Sequence, residues 1–268
     1  MDGGSSPRGE LRGVAGCGAG ADSGRTWSER PDFRVDGNGG YDAQDYDINL
    51  RFSSDKRSAM GVTTMEALAT QDLSQFNLDF GTMSVSSITV NGAAARFQQS
   101  DPELVVMPAQ PLKTGEWFRV TVTYAGTPGS ASNPNEFGDE AFWLLNNNTL
   151  TVLSQPSGMF MWSPVNEHPS DKATFTVALT APKTDTAVVS GVLTGSVDNA
   201  DGSRTTTFRI GTPTTTYVVM FSVGNYDSRS RARSVRFACG ITCRLPRARR
   251  CARRCSRRRR SFRSSTNA

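Results

Sequence analysis

The chain has 268 residues, of which 37% are apolar, and a formal net charge of +5. No run approaches the roughly 18 apolar residues that a membrane span needs, and the N-terminus lacks the apolar core of a secretory signal. The sequence therefore excludes a helical membrane protein. As written, nothing in it directs the chain out of the cytoplasm, and the compartment of any longer parent enzyme is left open.

The positive charge is concentrated at the C-terminal end. Residues 228–268 contain fifteen Arg and no Lys, Asp or Glu, whereas residues 41–227 contain ten basic against nineteen acidic residues. The net charge is therefore a property of the tail. It does not indicate a nucleic-acid partner for the rest of the chain.

Three segments follow from composition and pattern. Residues 1–36 are rich in Gly, Ser, Arg and Asp without periodicity, which predicts a disordered head. Residues 37–227 contain many short alternating runs separated by Gly, Pro and Asn turns, which predicts an all-β antiparallel sandwich. The predicted strands are 46–52, 85–90, 95–97, 104–107, 118–124, 149–153, 173–179, 186–189, 205–210 and 217–223.

Two further local predictions concern turns and helices. Asn91-Gly92 and the stretch from Asp198 to Gly202 have the composition of hairpin turns. No stretch predicts a long helix, and residues 70–76 predict at most one short helical turn.

The tail, residues 228–268, is predicted to be disordered, because one Leu and two Phe cannot form a core. Its run Arg257 to Arg260 could bind phosphates, but Arg, Ala, Ser, Cys and Pro are also what a GC-rich gene encodes out of frame. We favour the out-of-frame hypothesis over nucleic-acid binding. The spacing C-x3-C-x7-C-x3-C matches no common zinc site.

Candidate catalytic residues are few. His168 is the only histidine, so the two His of an H-E-x-x-H zinc site are missing. There is no G-x-S-x-G elbow, and one histidine gives no basis for a Ser-His-Asp triad. The sequence therefore predicts no catalytic residue and no metal ligand, and it favours a structural or exposed role for His168.

Seven motifs nevertheless occur in an order that resembles the N-terminal domain of the gluzincin zinc aminopeptidases, the family of aminopeptidase N and leukotriene A hydrolase. The resemblance is greatest to bacterial members and covers about residues 37–227. In chain order the motifs are 40–50 (H-Y-D-L-x-L, with Asp45 where the family usually has His), 73–80 (L-x-x-F-x-L-D-F), 85–92 (V-x-x-V-x-V-N-G), 103–115 (E-L-x-I-x-P-x-x-P-L-x-x-G), 122–126 (V-x-Y-x-G), 162–175 (W-x-P-x-x-D-x-P-x-x-K-A-x-F) and 216–226 (T-Y-L-x-x-x-x-V-G-D-Y).

The resemblance implies a saddle-like β-sandwich that packs on a thermolysin-like catalytic domain. In the family that second domain carries the zinc, the H-E-x-x-H helix and the G-x-M-E-N strand, none of which occurs here. We therefore expect a chain truncated before its catalytic domain, inactive alone and without a cofactor of its own. Its expected partner is that missing domain, and a peptide substrate belongs only to the full-length enzyme.

The resemblance also assigns roles to residues. Gln155 matches a family Gln at the rim of the substrate site, although Ser157 stands where a Glu is frequent. The alternative for Gln155 is a buried turn amide. The motif residues expected to be structural are Trp162, Pro164, Asn166, His168, Pro169 and Lys172.

A domain without its partner should expose an apolar face. The sequence suggests that this face consists of Phe142, Trp143, Met159, Phe160, Met161 and Trp162. Exposed aromatic residues would equally suit the alternative function, a free-standing β-sandwich that binds or adheres without catalysis.

Overall fold

A computed structural model describes residues 22–23, 37–81, 83–100, 102–128 and 143–226. The described part is almost entirely β-structure. Its strands are β1 (Asp22–Ser23), β2 (Tyr41–Phe52), β3 (Ala59–Ala69), β4 (Leu73–Asp79), β5 (Ser84–Val90), β6 (Ala93–Ala94), β7 (Arg96–Ser100), β8 (Glu103–Met107), β9 (Trp117–Gly126), β10 (Trp143–Asn146), β11 (Thr149–Val152), β12 (Ala173–Pro182), β13 (Thr186–Val189), β14 (Val192–Asp198), β15 (Ser203–Thr214) and β16 (Phe221–Gly224).

These strands form three sheets. The large sheet has the order β14-β15-β12-β2-β3-β9-β5-β6, and the two small sheets have the orders β1-β4-β8-β7 and β10-β11-β16-β13. Apart from the parallel pairs β12–β2 and β1–β4, neighbouring strands are antiparallel. The predicted all-β, mainly antiparallel fold is confirmed.

Both small sheets cover the same face of the large sheet. The ring of Tyr41, near the start of β2, packs edge-on against Phe76 of β4 at 5.8 Å between ring centroids. At the other end of β2, Phe52 packs against Phe221 of β16 at 5.7 Å. A bulge in β2 between Ala43 and Asp45 keeps both rings on the inner face although they are an odd number of residues apart. All three sheets therefore share one hydrophobic core.

The turn predictions have different outcomes. Asn91 and Gly92 have positive φ values of 52° and 81° and connect β5 to β6, as predicted for this dipeptide. The stretch before Gly202 connects β14 to β15. The short helical turn predicted at residues 70–76 is wrong, because Leu73–Asp79 is strand β4 and pairs with β8. Pairing with a neighbouring strand overrides the helix-like spacing of Leu73 and Phe76.

Six of the strands, β1, β3, β4, β6, β10 and β14, do not appear among the predicted strands. β3 alternates strictly between buried and more exposed residues, but Gly61 and three Ala on its buried side hide the apolar pattern. The predicted strand 217–223 is a 3-10 turn at Thr216–Val218 followed by β16. Of the predicted disordered head only Asp22–Ser23 is described, and the predicted disordered tail lies outside the described residues together with its cysteines and arginines. In the described part no helix is long and apolar enough to cross a membrane.

Candidate functional site

The loop that leaves β11 brings Gln155 to the surface. Gln155 is exposed and Ser157, two residues later, is buried, and the Gln155–Pro156 peptide bond is cis. Exposure of Gln155 excludes the alternative of a buried turn amide. A side-chain amide at the surface can donate and accept hydrogen bonds with a ligand.

Four exposed apolar side chains lie in or close to the strands of the small sheet that contains β11, the strand that leads to Gln155. Their exposed fractions are 42–43%, and they are Leu144, Leu153, Val218 and Met220. Leu153 directly follows β11 and Met220 directly precedes β16, so both come just beyond the last registered pair, Val152 with Phe221. We call these four residues and Gln155 the docking face.

The sequence prediction of which residues form an exposed apolar face is wrong. The 3-10 turn Met159–Met161 is buried, with exposed fractions between 0% and 6%, and Trp162 is 1% exposed. Trp143 is half-buried against the core, and Phe142 lies outside the described residues. These side chains fill the space between the sheets, so the aromatic surface required by an adhesion module is not formed by them.

Glu167 lies at the centre of the segment that follows Gln155. Its buried carboxylate accepts hydrogen bonds from the Phe160 amide, at 3.0 Å, and from the Thr216 hydroxyl, also at 3.0 Å. Its own amide donates to the carboxylate of Asp79 at 2.8 Å, and Asp79 forms a short antiparallel bridge with Val165. Because Asp79 belongs to β4 and Thr216 precedes β16, Glu167 connects the two small sheets.

Asn166 and Asp171 form a second junction, this time with the large sheet. The Asn166 amide donates to the buried Tyr46 hydroxyl of β2 at 3.0 Å, and its side chain exchanges hydrogen bonds with the backbone of Asn38. The Asn166 side chain also donates to Asp171, which accepts from the Ala43 amide at 3.4 Å. Residues 166–171 are thereby attached to the start of β2.

The electrostatics of this junction favour protonated groups. The pKa of Asp171 is raised to about 7, chiefly by burial and to a smaller extent by the neighbouring Asp42 carboxylate, while hydrogen bonds from the Ala43 amide and the Asn166 side chain oppose the rise. The second carboxylate oxygen of Asp171 is buried and has no hydrogen-bond partner among the described residues. Burial also raises the pKa of Tyr46 well above its usual value, so its phenol stays neutral at any physiological pH.

His168 is buried in this junction, with an exposed fraction of 2%. Its Nδ1 lies 2.7 Å from the Ser170 hydroxyl and 3.2 Å from the Ser170 amide. A Cβ added to Gly37, which has a φ of +78°, would come within 2.3 Å of the His168 Cβ. His168 is therefore packed tightly into the protein, which is consistent with a structural role.

The other structural motif residues differ in exposure. Trp162 donates from Nε1 to the Ser154 hydroxyl at 3.1 Å and contacts the Phe221 ring edge-on at 5.1 Å. Pro164 is buried, Pro169 is partly exposed, and Lys172 is exposed just before β12. The structure thus brings Trp162, Pro164, Asn166 and His168 into the interior and leaves Lys172 at the surface.

One buried charge was not found by sequence reasoning. Lys56, in the turn between β2 and β3, is 0% exposed. Its Nζ forms an ion pair with Asp185 at 2.8 Å and donates to the backbone and side-chain oxygens of Asn148, both at 3.0 Å. The Lys56 carbonyl accepts from Trp143 Nε1 at 2.9 Å. A lysine in a polar turn normally indicates solvent exposure, so no local signal reveals this junction of three turns.

The described residues contain no arrangement of side chains suited to bind a zinc ion. They contain no group of three or more His, Cys, Asp or Glu side chains arranged to hold a metal. His168 already has its Nδ1 against Ser170, and a zinc site needs three or four converging ligands.

The comparisons with known proteins agree with the fold. The family model described as "Peptidase M1 N-terminal domain" matches residues 42–218. A comparison with curated proteins gave no match.

Solved structures give a consistent result. The chain is similar to an M1 zinc metallopeptidase from Deinococcus radiodurans, with 31% identity and a TM-score of 0.68 over 78% of this chain and 48% of that one. A mutant of the enzyme from the same organism, bound to a Tyr-Ser-Ala substrate, gives 32% identity and a TM-score of 0.69 over 77% and 47%. A two-domain M1 zinc metallopeptidase mutant bound to L-tryptophan has 32% identity and a TM-score of 0.68, and the match covers 76% of this chain and 46% of that one.

The chain therefore spans less than half the length of these structures, so the match covers only part of each enzyme. The motif order, the three-sheet fold and the family model agree, and this chain belongs to the M1 zinc peptidase family through its N-terminal domain.

Proposed function

We propose that residues 37–226 act as the non-catalytic N-terminal domain of an aminopeptidase, packing on a zinc-bearing catalytic domain and completing the rim of its substrate site. The observation that carries the proposal is the family match over residues 42–218 together with coverage of less than half of two-domain peptidases. The described residues hold no group suited to bind zinc, so the hydrolytic chemistry belongs to the partner domain.

The docking face supports the mode of packing. Four apolar side chains with exposed fractions of 42–43% lie in or close to the strands of one small sheet, and the exposed Gln155 follows Leu153 by two residues. Burial of Leu153 and Met220 against a second domain would stabilise the pair by the hydrophobic effect. Gln155 would then stand at the edge of the interface, where an amide oxygen can accept a hydrogen bond from the α-ammonium group of a peptide.

A first experiment tests whether the chain is catalytic. The purified 268-residue chain is incubated with zinc and an aminoacyl-arylamide, and a chelator-treated sample is the control. We expect the same background rate in both. Chelator-sensitive hydrolysis would overturn the assignment of the chemistry to another domain.

A second experiment tests docking and the role of Gln155. Residues 37–226 replace the corresponding domain of the Deinococcus radiodurans enzyme, and hydrolysis by this chimera is measured. We expect Gln155→Ala to raise KM several-fold with a smaller change in kcat. Gln98→Ala, at an exposed site on β7, is the matched control and should change neither. An unchanged KM in the Gln155 variant would exclude its role at the rim.

Stability of the chimera tests the docking face separately. Leu153→Glu and Met220→Glu should lower its unfolding temperature or separate its domains, while Val62→Glu, on the opposite face of the large sheet, should not. Equal effects of all three substitutions would contradict the docking face.

A further inference from the structure

Strand β14 forms an end of the large sheet. β15 pairs with one of its edges, and no described strand pairs with the other. Three of its seven residues are apolar and strongly exposed: Val192 at 70%, Leu193 at 57% and Val197 at 63%. The strand contains no Lys and no Pro, which commonly protect such edges.

A bulge in β14 aligns two of these side chains. The register with β15 shifts between Leu193 and Gly195, so that Val192 lies opposite Arg209 and Val197 lies opposite Thr205. Because the bulge adds one residue, Val192 and Val197 face the same side of the sheet although they are five residues apart. The hydroxyl of the bulged Thr194 donates to the Thr207 carbonyl at 3.1 Å, on the β15 side. It therefore leaves the outer edge unobstructed.

This geometry makes β14 complementary to itself. If two copies pair antiparallel about Gly195, the Val192 side chain of each copy lies opposite Val197 of the other, on the same face. Gly195 lies at the two-fold centre, where the absence of a side chain allows the backbones to approach closely. The one charged residue of the strand, Asp198, already pairs with Arg204 of β15, so it brings no unpaired charge to the edge.

We propose that a second copy of this chain binds along β14 and that the two large sheets join into one continuous sheet. The antiparallel two-fold arrangement uses the same surface on both copies, as in most homodimers. A seven-residue edge buries less than the roughly 1,200 Å² of a standard stable interface. The dimer is therefore weak and depends on concentration.

The test is sedimentation equilibrium of the full 268-residue chain over a range of concentrations. We expect a monomer–dimer equilibrium. Val197→Lys and, separately, Val192→Lys should weaken association about tenfold or more, because each places an ammonium group opposite valine and close to the symmetry axis. Val62→Lys is the matched control, since Val62 is exposed on the central strand β3, and it should leave the dimer unchanged.

Circular dichroism spectra should show that all variants remain folded, as the substituted side chains are exposed. Three results would overturn the proposal. The first is a wild-type chain that stays monomeric at all concentrations. This result would also be seen if another segment or another protein covered the β14 edge, and it would overturn the proposal in that case too. The second is association that survives both β14 substitutions. The third is association that Val62→Lys weakens to the same extent.

Discussion

Polar residues have opposite surroundings on the two sides of the large sheet. Beneath the small sheets, Glu167 and Lys56 are buried, and each contacts several groups from distant strands. On the outer face, Arg209 pairs with Asp45 at 2.6 Å and Arg119 pairs with Glu66, all with side chains 28–63% exposed. Asp45 and Glu66 are neighbours in the β2–β3 register, so the two pairs form a row that crosses five strands, from β15 to β9.

The difference shows that the loss of an ion pair or hydrogen bond should destabilise the fold more when the groups are buried than when they are exposed. Water can replace either partner of an exposed pair, and salt screens it. A buried group has no such replacement, and loss of its partner leaves an unsatisfied charge or donor. The buried junctions should therefore determine how the sheets are joined, whereas the outer row should contribute little.

The largest expected effect is that of Lys56→Met. It leaves the Asp185 carboxylate buried without its cation, and breaking such a pair from one side costs about 3–5 kcal/mol. Urea denaturation would measure the change in the free energy of unfolding. The control is Lys113→Met, which removes an exposed pair with Asp72 and should have little effect. Equal losses in the two variants would show that burial does not distinguish them.

A smaller loss is expected for Glu167→Gln. The amide keeps one oxygen, but its NH2 group faces a donor, either the Phe160 amide or the Thr216 hydroxyl. An unsatisfied buried group costs about 1–3 kcal/mol. Thr216→Val, which removes only one of these donors, should cost less than Glu167→Gln. A Gln variant as stable as the wild type would argue against a junction role for this carboxylate.

Asp171→Asn should change the pH dependence of stability. The pKa of Asp171 is about 7 in the folded protein against a usual value of 3.8, so the folded state binds this proton more tightly than the unfolded state. The contribution of Asp171 to stability therefore falls as pH rises from about 4 to about 7 and stays low above that. The difference in unfolding free energy between the Asn variant and the wild type should increase over this range and then level off.

The matched control for this curve is Asp47→Asn, an exposed carboxylate on the same strand as the Asp42 and Ala43 neighbours of Asp171. Its difference curve is the reference for the Asp171→Asn curve. A curve for Asp171→Asn that does not rise above this reference would show that its carboxyl group titrates normally.

The smallest effect is expected on the outer row. Arg119→Gln removes an exposed ion pair with Glu66, and its effect should be close to the error of a denaturation experiment and smaller still at high salt. Arg209→Gln should cost more, since Arg209 also donates to Thr174 and Thr176. If Arg119→Gln lowered the free energy of unfolding nearly as much as Lys56→Met, burial would not explain the difference between the two sides of the sheet.

Much of the fold could be predicted from local sequence. The alternation of residues 46–52, 118–124 and 173–179 predicts strands that are present as β2, β9 and β12. Strand β3 was missed because its buried side carries Gly61 and small residues, which leave a weak apolar pattern. Strand β4 was missed because pairing with β8 decides its conformation.

The candidate site was predicted less completely. The motif order led to Gln155, whose surface position is compatible with a role at a substrate rim, and to His168 as a packed rather than chemical residue. The same reasoning placed Met159 and Trp162 on an exposed face, but both are buried. An apolar side chain fits an interface and a core equally well, and the sequence pattern does not distinguish the two.

The sequence by itself determined the β-rich class, the turn at Asn91-Gly92 and the family of residues 42–218, because strand period and turn chemistry are local properties. Only the tertiary structure decided which faces are covered. Lys56, Asn148 and Asp185 come together from turns far apart in the chain, and the order of the described strands leaves one edge of β14 without a partner among them. Both depend on long-range packing, which residue pattern alone does not encode.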